Sequence, residues 1–293
     1  MKRRQFIGYI ATAMAVTPSL LSAEDKKRPI ILGVFPRRNI KITYKLFTPL
    51  AKYLSHRLNR EVVLKTTKSF QEFWKNVQQK KYDVVHFNQY HYIVSHKLFN
   101  YGVIAANKEL NSPTIAGSII VRKDSGINSV SDLKGKTILF GGGRRAMQSY
   151  ISATWLLRKG GLQAGDYIEK FSINPPNTII STYFKRADAS GSGDSVMNLD
   201  NVRSRIDISE LKFLAKTKQM THLPWAVNDD LSMVLRKKIQ HVLTTLNTNA
   251  EGKEVLKSAR LSDVVLATDS DFNEHRKIVK DVYGADFGVS TLK

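Results

Sequence analysis

The chain has no cysteine among its 293 residues. Disulfides, thiolate nucleophiles, Cys-based zinc sites and iron–sulfur clusters are therefore excluded together. It is also poor in acid, with 25 Asp and Glu against 46 Lys and Arg, a formal charge of +21 at pH 7. The apolar stretch at residues 6–21 is interrupted by Pro18 and falls short of the roughly 20 apolar residues of a membrane span. No Gly-Lys-Ser/Thr ending follows a glycine loop, so a Walker-type phosphate cradle is absent, and no Gly-x-Ser-x-Gly elbow marks a hydrolase nucleophile. No internal repeat or low-complexity tract is present. What remains is ample for a core: 42% of the residues are hydrophobic and 9% aromatic, which excludes global disorder. The length exceeds one ordinary domain and suggests two lobes around a cleft.

Residues 1–23 have the layout of an export signal, with Lys2, Arg3 and Arg4 ahead of the apolar stretch and Leu21-Ser22-Ala23 as a small-residue exit. Arg3-Arg4-Gln5-Phe6-Ile7 resembles the twin-arginine motif. Cleavage there removes only three basic residues, so the positive balance belongs to the mature chain. Its lysines are dispersed in pairs such as Lys26-Lys27, Lys80-Lys81 and Lys237-Lys238. Such dispersal reads as a solvated surface, and no nucleic-acid partner is expected.

Pro29 is followed by the apolar run Ile30-Ile31-Leu32-Gly33-Val34-Phe35, a buried strand ended by Pro36-Arg37-Arg38-Asn39. Leu46, Leu50, Leu54 and Leu58 recur every four residues on one helical face. A strand at 61–65, a helix carrying Phe70, Phe73 and Val77, and a strand at 82–87 complete an α/β lobe with a largely parallel sheet. A second unit runs from a strand at 118–121 to one at 137–140. Gly141-Gly142-Gly143 then opens a helix that ends at Gly160-Gly161. A short helix over 178–184, a strand at 211–215 and a long C-terminal helix over 231–246 follow. Strand, glycines and helix in that order point backbone N–H groups at a ligand.

These stretches carry a resemblance to the periplasmic solute-binding proteins of phosphonate, phosphite and phosphate ABC importers. It rests on Leu32-Gly33-Val34-Phe35-Pro36, Thr48-Pro49-Leu50-Ala51-Lys52-Tyr53-Leu54, Tyr82-Asp83-Val84-Val85-His86-Phe87 with Tyr92, Ile120-Val121-Arg122-Lys123-Asp124-Ser125-Gly126-Ile127 and above all Ser131-Asp132-Leu133-Lys134-Gly135-Lys136. The resemblance implies a two-lobed α/β clamshell of the type II binding-protein kind. Lobe one comprises residues 24–116 and 217–293, lobe two residues 117–216, and the ligand lies between them. It further implies periplasmic location, capture of a small anionic solute by lobe closure, delivery to a membrane permease or to a receptor's periplasmic domain, no catalysis and no cofactor.

The family's Ser-Thr-Ser-Gly run at a helix start is replaced here by Gly141-Gly142-Gly143-Arg144-Arg145-Ala146-Met147-Gln148-Ser149. Its hydroxyls are gone, but glycines, the helix N-terminus and arginine forks serve an anion by other means. The expected ligand residues are Phe70, Phe87, Asn88, Gln89 and Tyr92 of lobe one. From the first loop of lobe two come Gly142, Gly143, Arg144, Arg145, Gln148 and Ser149, and from later loops Asn177 and Asp194. Asp194, in a segment read as a cleft loop over 188–195, is the candidate for a cationic or hydroxyl group of the ligand, or else a helix cap. The apolar Ile115 and Met147 favour a carboxylate or partly apolar ligand as the variant reading. Trp225 either floors the cleft or packs in the core. His86, His91 and His96, spaced by five, fan around a helix rather than converging on a metal, and are read as packing histidines.

Overall fold

The computed structural model describes residues 28–289; the expected export signal at 1–23 lies outside the described residues. The chain begins with β1 (Ile30–Val34), α1 (Ile40–Leu58), β2 (Val62–Lys65), α2 (Phe70–Gln78), β3 (Val84–His86), α3 (Gln89–Phe99) and β4 (Tyr101–Lys108). Asn39 caps α1 by accepting from the N–H of Ile42, and Asn59, in the left-handed region at φ 51°, ends it. Leu46, Leu50, Leu54 and Leu58 are all buried, as their spacing requires. The middle of the chain holds β5 (Thr114–Ile115), β6 (Gly117–Arg122), β7 (Thr137–Gly141), a π-helical turn (Met147–Ser152) running into α4 (Ala153–Lys159), β8 (Ile168–Ser172), α5 (Pro175–Tyr183), β9 (Ala189–Gly193), α6 (Asp200–Arg203) and β10 (Leu211–Lys216). After β11 (Met220–Thr221) come β12 (Pro224–Asn228), α7 (Met233–Thr244), α8 (Ala250–Ala259), β13 (Asp263–Leu266) and α9 (Asn273–Tyr283).

Two sheets result. The first has the order β13-β4-β12-β3-β1-β2 and the second β10-β6-β9-β7-β8. The first is mixed, with two parallel and three antiparallel pairings, rather than largely parallel as expected from sequence. β1 runs parallel to β2 and β3, but β12 enters antiparallel between β3 and β4, and β13 pairs antiparallel with β4. The reversal follows from connectivity, because β12 arrives from the second sheet. The chain crosses between the sheets twice, and the crossings pair as a ribbon, Met220 opposite Ile115 and Thr221 opposite Thr114.

Three further expectations change. The segment over 188–195 is no loop, since Ala189–Gly193 is a wholly buried strand at the centre of the second sheet. The helix read at 231–246 is α7, and it is followed by α8, β13 and α9 rather than closing the chain. Trp225 belongs to the core. It is fully buried on β12, stacks on His86 at 4.3 Å and donates its indole N–H to Asn107 Oδ1 at 2.7 Å.

Candidate functional site

A cavity of about 290 Å³ lies between the two sheets and is lined from both. The first sheet's side supplies Phe35, Pro36 and Arg37 after β1, Phe70 at the start of α2, and Asn88, Gln89 and His91 at the start of α3. The second supplies Gly141, Gly142 and residues 144–149 after β7, the Ile173-Asn174-Pro175 turn after β8, and Gly193 and Val196. Ile115, His222 and Leu223 come from the two crossings. Most of this wall is apolar, with polar groups at a few points, the usual make-up of a small-molecule site.

The turn after β7 is shaped by glycine. Gly142 and Gly143 have φ of +88° and +91°, a region that side chains with a Cβ avoid. The helix that follows starts with a π turn, in which Ile151 donates its N–H to the carbonyl of Ala146, five residues back. π turns recur at functional sites because they insert one residue into the helical register. No side chain caps this helix start, so its first donors face the cavity end with the positive end of the helix dipole behind them. Close packing holds the helix there, since a Cβ on Gly191 of β9 would stand 2.2 Å from the Ser149 carbonyl oxygen.

Two of the three arginines at the cavity, Arg37 and Arg144, are held by carboxylates. Arg37 binds Glu109 at 3.1 Å, and Asn107 Nδ2 donates to the same oxygen at 3.0 Å. Burial opposes ionisation of Glu109, but Arg37, with the Asn107 hydrogen bond and Arg38, outweighs it and holds its pKa at about 2. Arg144 pairs with Glu169, and its guanidinium lies over the rings of Tyr150 and Phe171 at 5.9 and 5.8 Å. Tyr150 donates its hydroxyl to Glu169 at 2.9 Å. Arg144 therefore stands at the rim with its charge compensated.

The two histidines on the cavity wall, His91 and His222, are neutral. Burial, then the positive field of Arg145, pushes His91 down to about 3; its ring stacks on Phe70 at 5.3 Å and neither nitrogen has a hydrogen-bond partner. Burial likewise lowers His222. The Leu223 N–H donates to His222 Nδ1 at 2.9 Å, which leaves the ring proton on Nε2, 3.9 Å from Glu109 Oε2. Gln148 meets the buried ring of His275 on α9 at 3.3 Å and accepts from Ser152 Oγ at 3.2 Å.

Of the residues expected from sequence, Phe70, Asn88, Gln89, Gly142, Arg144, Arg145, Gln148 and Ser149 meet at this cavity. Five do not. Phe87 is fully buried in the core against Phe73 and Tyr101. α3 turns Tyr92 away, where it packs on Phe272 and its hydroxyl donates to Asp269 at 2.5 Å. Gly143 shapes the turn without lining the wall. Asn177 lies inside α5, its N–H capped by Asn174, and it is Asn174 that faces the cavity. Asp194 accepts from the Ala116 N–H at 3.0 Å and from Gln219 at 2.7 Å, so its carboxylate is used at the crossing.

Sequence reasoning missed Phe35, Arg37, His91, His222 and Leu223. The three histidines do not share one helix as the spacing argument assumed, since His86 is in β3 and only His91 and His96 are in α3. Among the described residues no group of three or more His, Asp or Glu side chains is arranged to hold a metal ion.

Residues 32–272 match the family described as the periplasmic substrate-binding protein of phosphonate ABC transporters. Among solved structures, the fold is similar to a binding-protein component of an ABC phosphonate transporter from Pseudomonas aeruginosa, with TM-score 0.73 and 16% identity over 90% of this chain and 93% of that one. It is similar also to a protein from Prochlorococcus marinus solved with methylphosphonate, with TM-score 0.74 and 18% identity over 89% of this chain and 99% of that one. A Xanthomonas citri protein solved with ATP has TM-score 0.73 at 12% identity, covering 90% and 97% of the two chains.

Proposed function

Since the chain belongs to the periplasmic substrate-binding proteins of phosphonate ABC transporters, we propose that it captures a small organic oxyanion with a phosphonate-like head, seats that head at the uncapped start of the Met147 helix, and hands it unchanged to a membrane permease. The observation that carries this reading is the cavity between two sheets, where the helix start at Met147, uncapped by any side chain and flanked by Arg145, Gln148 and Ser149, faces an apolar wall. Helix dipole and N–H donors favour an anion there. Residues 28–116 with 217–289, and residues 117–216, act as the two closing bodies. The β5–β11 ribbon joining two separate sheets supports motion at the crossings.

The test is a thermal-unfolding titration with inorganic phosphate and methylphosphonate, repeated on Gln148→Glu. A probe at about 100 times its Kd stabilises the wild type by ~2.7 kcal/mol. A carboxylate placed at the helix start repels the oxyanion by on the order of 2 kcal/mol, weakening binding by ~30-fold. Stabilisation by neither probe, or equal stabilisation of the variant, overturns the proposal.

A further inference from the structure

The far wall of the cavity says which substituent the head carries, an inference that rests on the head-group reading above. Gln89, His91 and His222 line the cavity and are each about 1% exposed. Each has polar atoms without a partner: Oε1 of Gln89, both ring nitrogens of His91 and Nε2 of His222. The Gln89 amide nitrogen makes only a long 3.5 Å contact with the Thr221 carbonyl. Buried polar atoms left unpaired lower stability, and several on one cavity wall are what a site kept ready for a ligand looks like. All three side chains are uncharged, and together they offer an acceptor on Gln89 and a donor on His222. Around them Phe35 and Phe70, with ring centres 6.1 Å apart, form an apolar surface.

Charge sharpens the choice. Among the described residues that line the cavity none is Asp or Glu. The carboxylates behind the wall are already engaged, Glu109 by Arg37 and Asn107, Glu169 by Arg144 and Tyr150, and Asp194 by the Ala116 N–H and Gln219. An ammonium on the ligand would lose its water, find no counter-charge and lie near Arg37 and Arg145. A hydroxyl or carbonyl on an apolar frame would instead satisfy the orphaned groups. We infer that the cavity selects oxyanions whose substituent is uncharged, apolar and marked by one hydroxyl or carbonyl, and rejects aminoalkyl substituents.

The test is calorimetric titration of the purified protein with ethyl-, 2-hydroxyethyl- and 2-aminoethylphosphonate, and with the same three substituents on a sulfonate head. On whichever head binds, the hydroxyethyl member is expected at least ~10-fold tighter than the aminoethyl member and ~3-fold tighter than the ethyl member. In Gln89→Leu and His91→Phe the hydroxyethyl-to-ethyl ratio should fall toward one while Tm does not drop. An aminoethyl member that binds within ~10-fold of the hydroxyethyl one leaves the head-group reading intact and overturns this inference. So does a ratio unchanged in both variants. If none of the six probes binds while methylphosphonate does, this inference alone falls; if methylphosphonate and phosphate fail as well, both fall.

Discussion

Replacing Glu109 by Gln tests the charge cluster that ties the cavity to the first crossing. The carboxylate is buried, contacts Arg37 at 3.1 Å and Asn107 at 3.0 Å, and is held at about pKa 2 against an ordinary 4.5. Each unit of displacement is worth ~1.4 kcal/mol, so the ionised group contributes roughly 3 kcal/mol to folding at neutral pH. Because the folded value lies below the unfolded one, that contribution is complete above about pH 4.5 and disappears as the pH falls toward 2. The amide keeps the shape and loses the charge, leaving Arg37 without its carboxylate. Urea unfolding of the wild type and Glu109→Gln at pH 7, 5, 4 and 3 reads the difference directly. It should be ~3 kcal/mol at pH 7 and 5 and shrink steadily below pH 4.5. A stability difference that stays constant from pH 7 to pH 3 refutes the assignment of this carboxylate as the ionised partner of Arg37.

Two further substitutions separate the scaffold from the site. Gly191→Ala drives a Cβ to 2.2 Å from the Ser149 carbonyl oxygen and 2.7 Å from Phe140; it should cost ~1–3 kcal/mol or more, lower Tm by several degrees and weaken methylphosphonate binding in the same titration, because the helix start must shift. Trp225→Phe leaves Asn107 Oδ1 without its indole donor and should cost ~1–3 kcal/mol in urea unfolding, with methylphosphonate affinity unchanged because Trp225 is not on the cavity wall.

Much of the scaffold was legible because local rules and tertiary packing agree. The four leucines of α1, the bounded apolar run of β1 and the glycine turn before the π-helical segment each state in sequence what the fold uses. β9 was not legible, since Ala-Ser-Gly-Ser-Gly has the composition of a loop. It is a central strand because the Met147 helix lies so close upon it that only small residues leave room, a demand made by an element some forty positions earlier. The site divides the same way. Gln148 and Ser149 follow from the strand–glycine–helix order, whereas Arg37 looks like a turn residue until the fold brings it to Glu109, and His222 until the crossing brings it beside the same carboxylate. Asp194 misled because a lone acid in a Gly-Ser segment signals a ligand loop or a cap equally well, and here it serves the crossing.

The place of β12 fixes an order of assembly. It pairs with both β3 and β4, yet the ribosome delivers it only after the entire second sheet. Until then the nascent N-terminal portion presents two facing strand edges with a gap between them, the kind of surface that recruits wrong partners. The first sheet therefore depends on contacts more than a hundred residues apart along the chain, a topology that slows folding. A fragment ending just before residue 224 would carry every residue that lines the cavity and still lack the strand that holds its first sheet together.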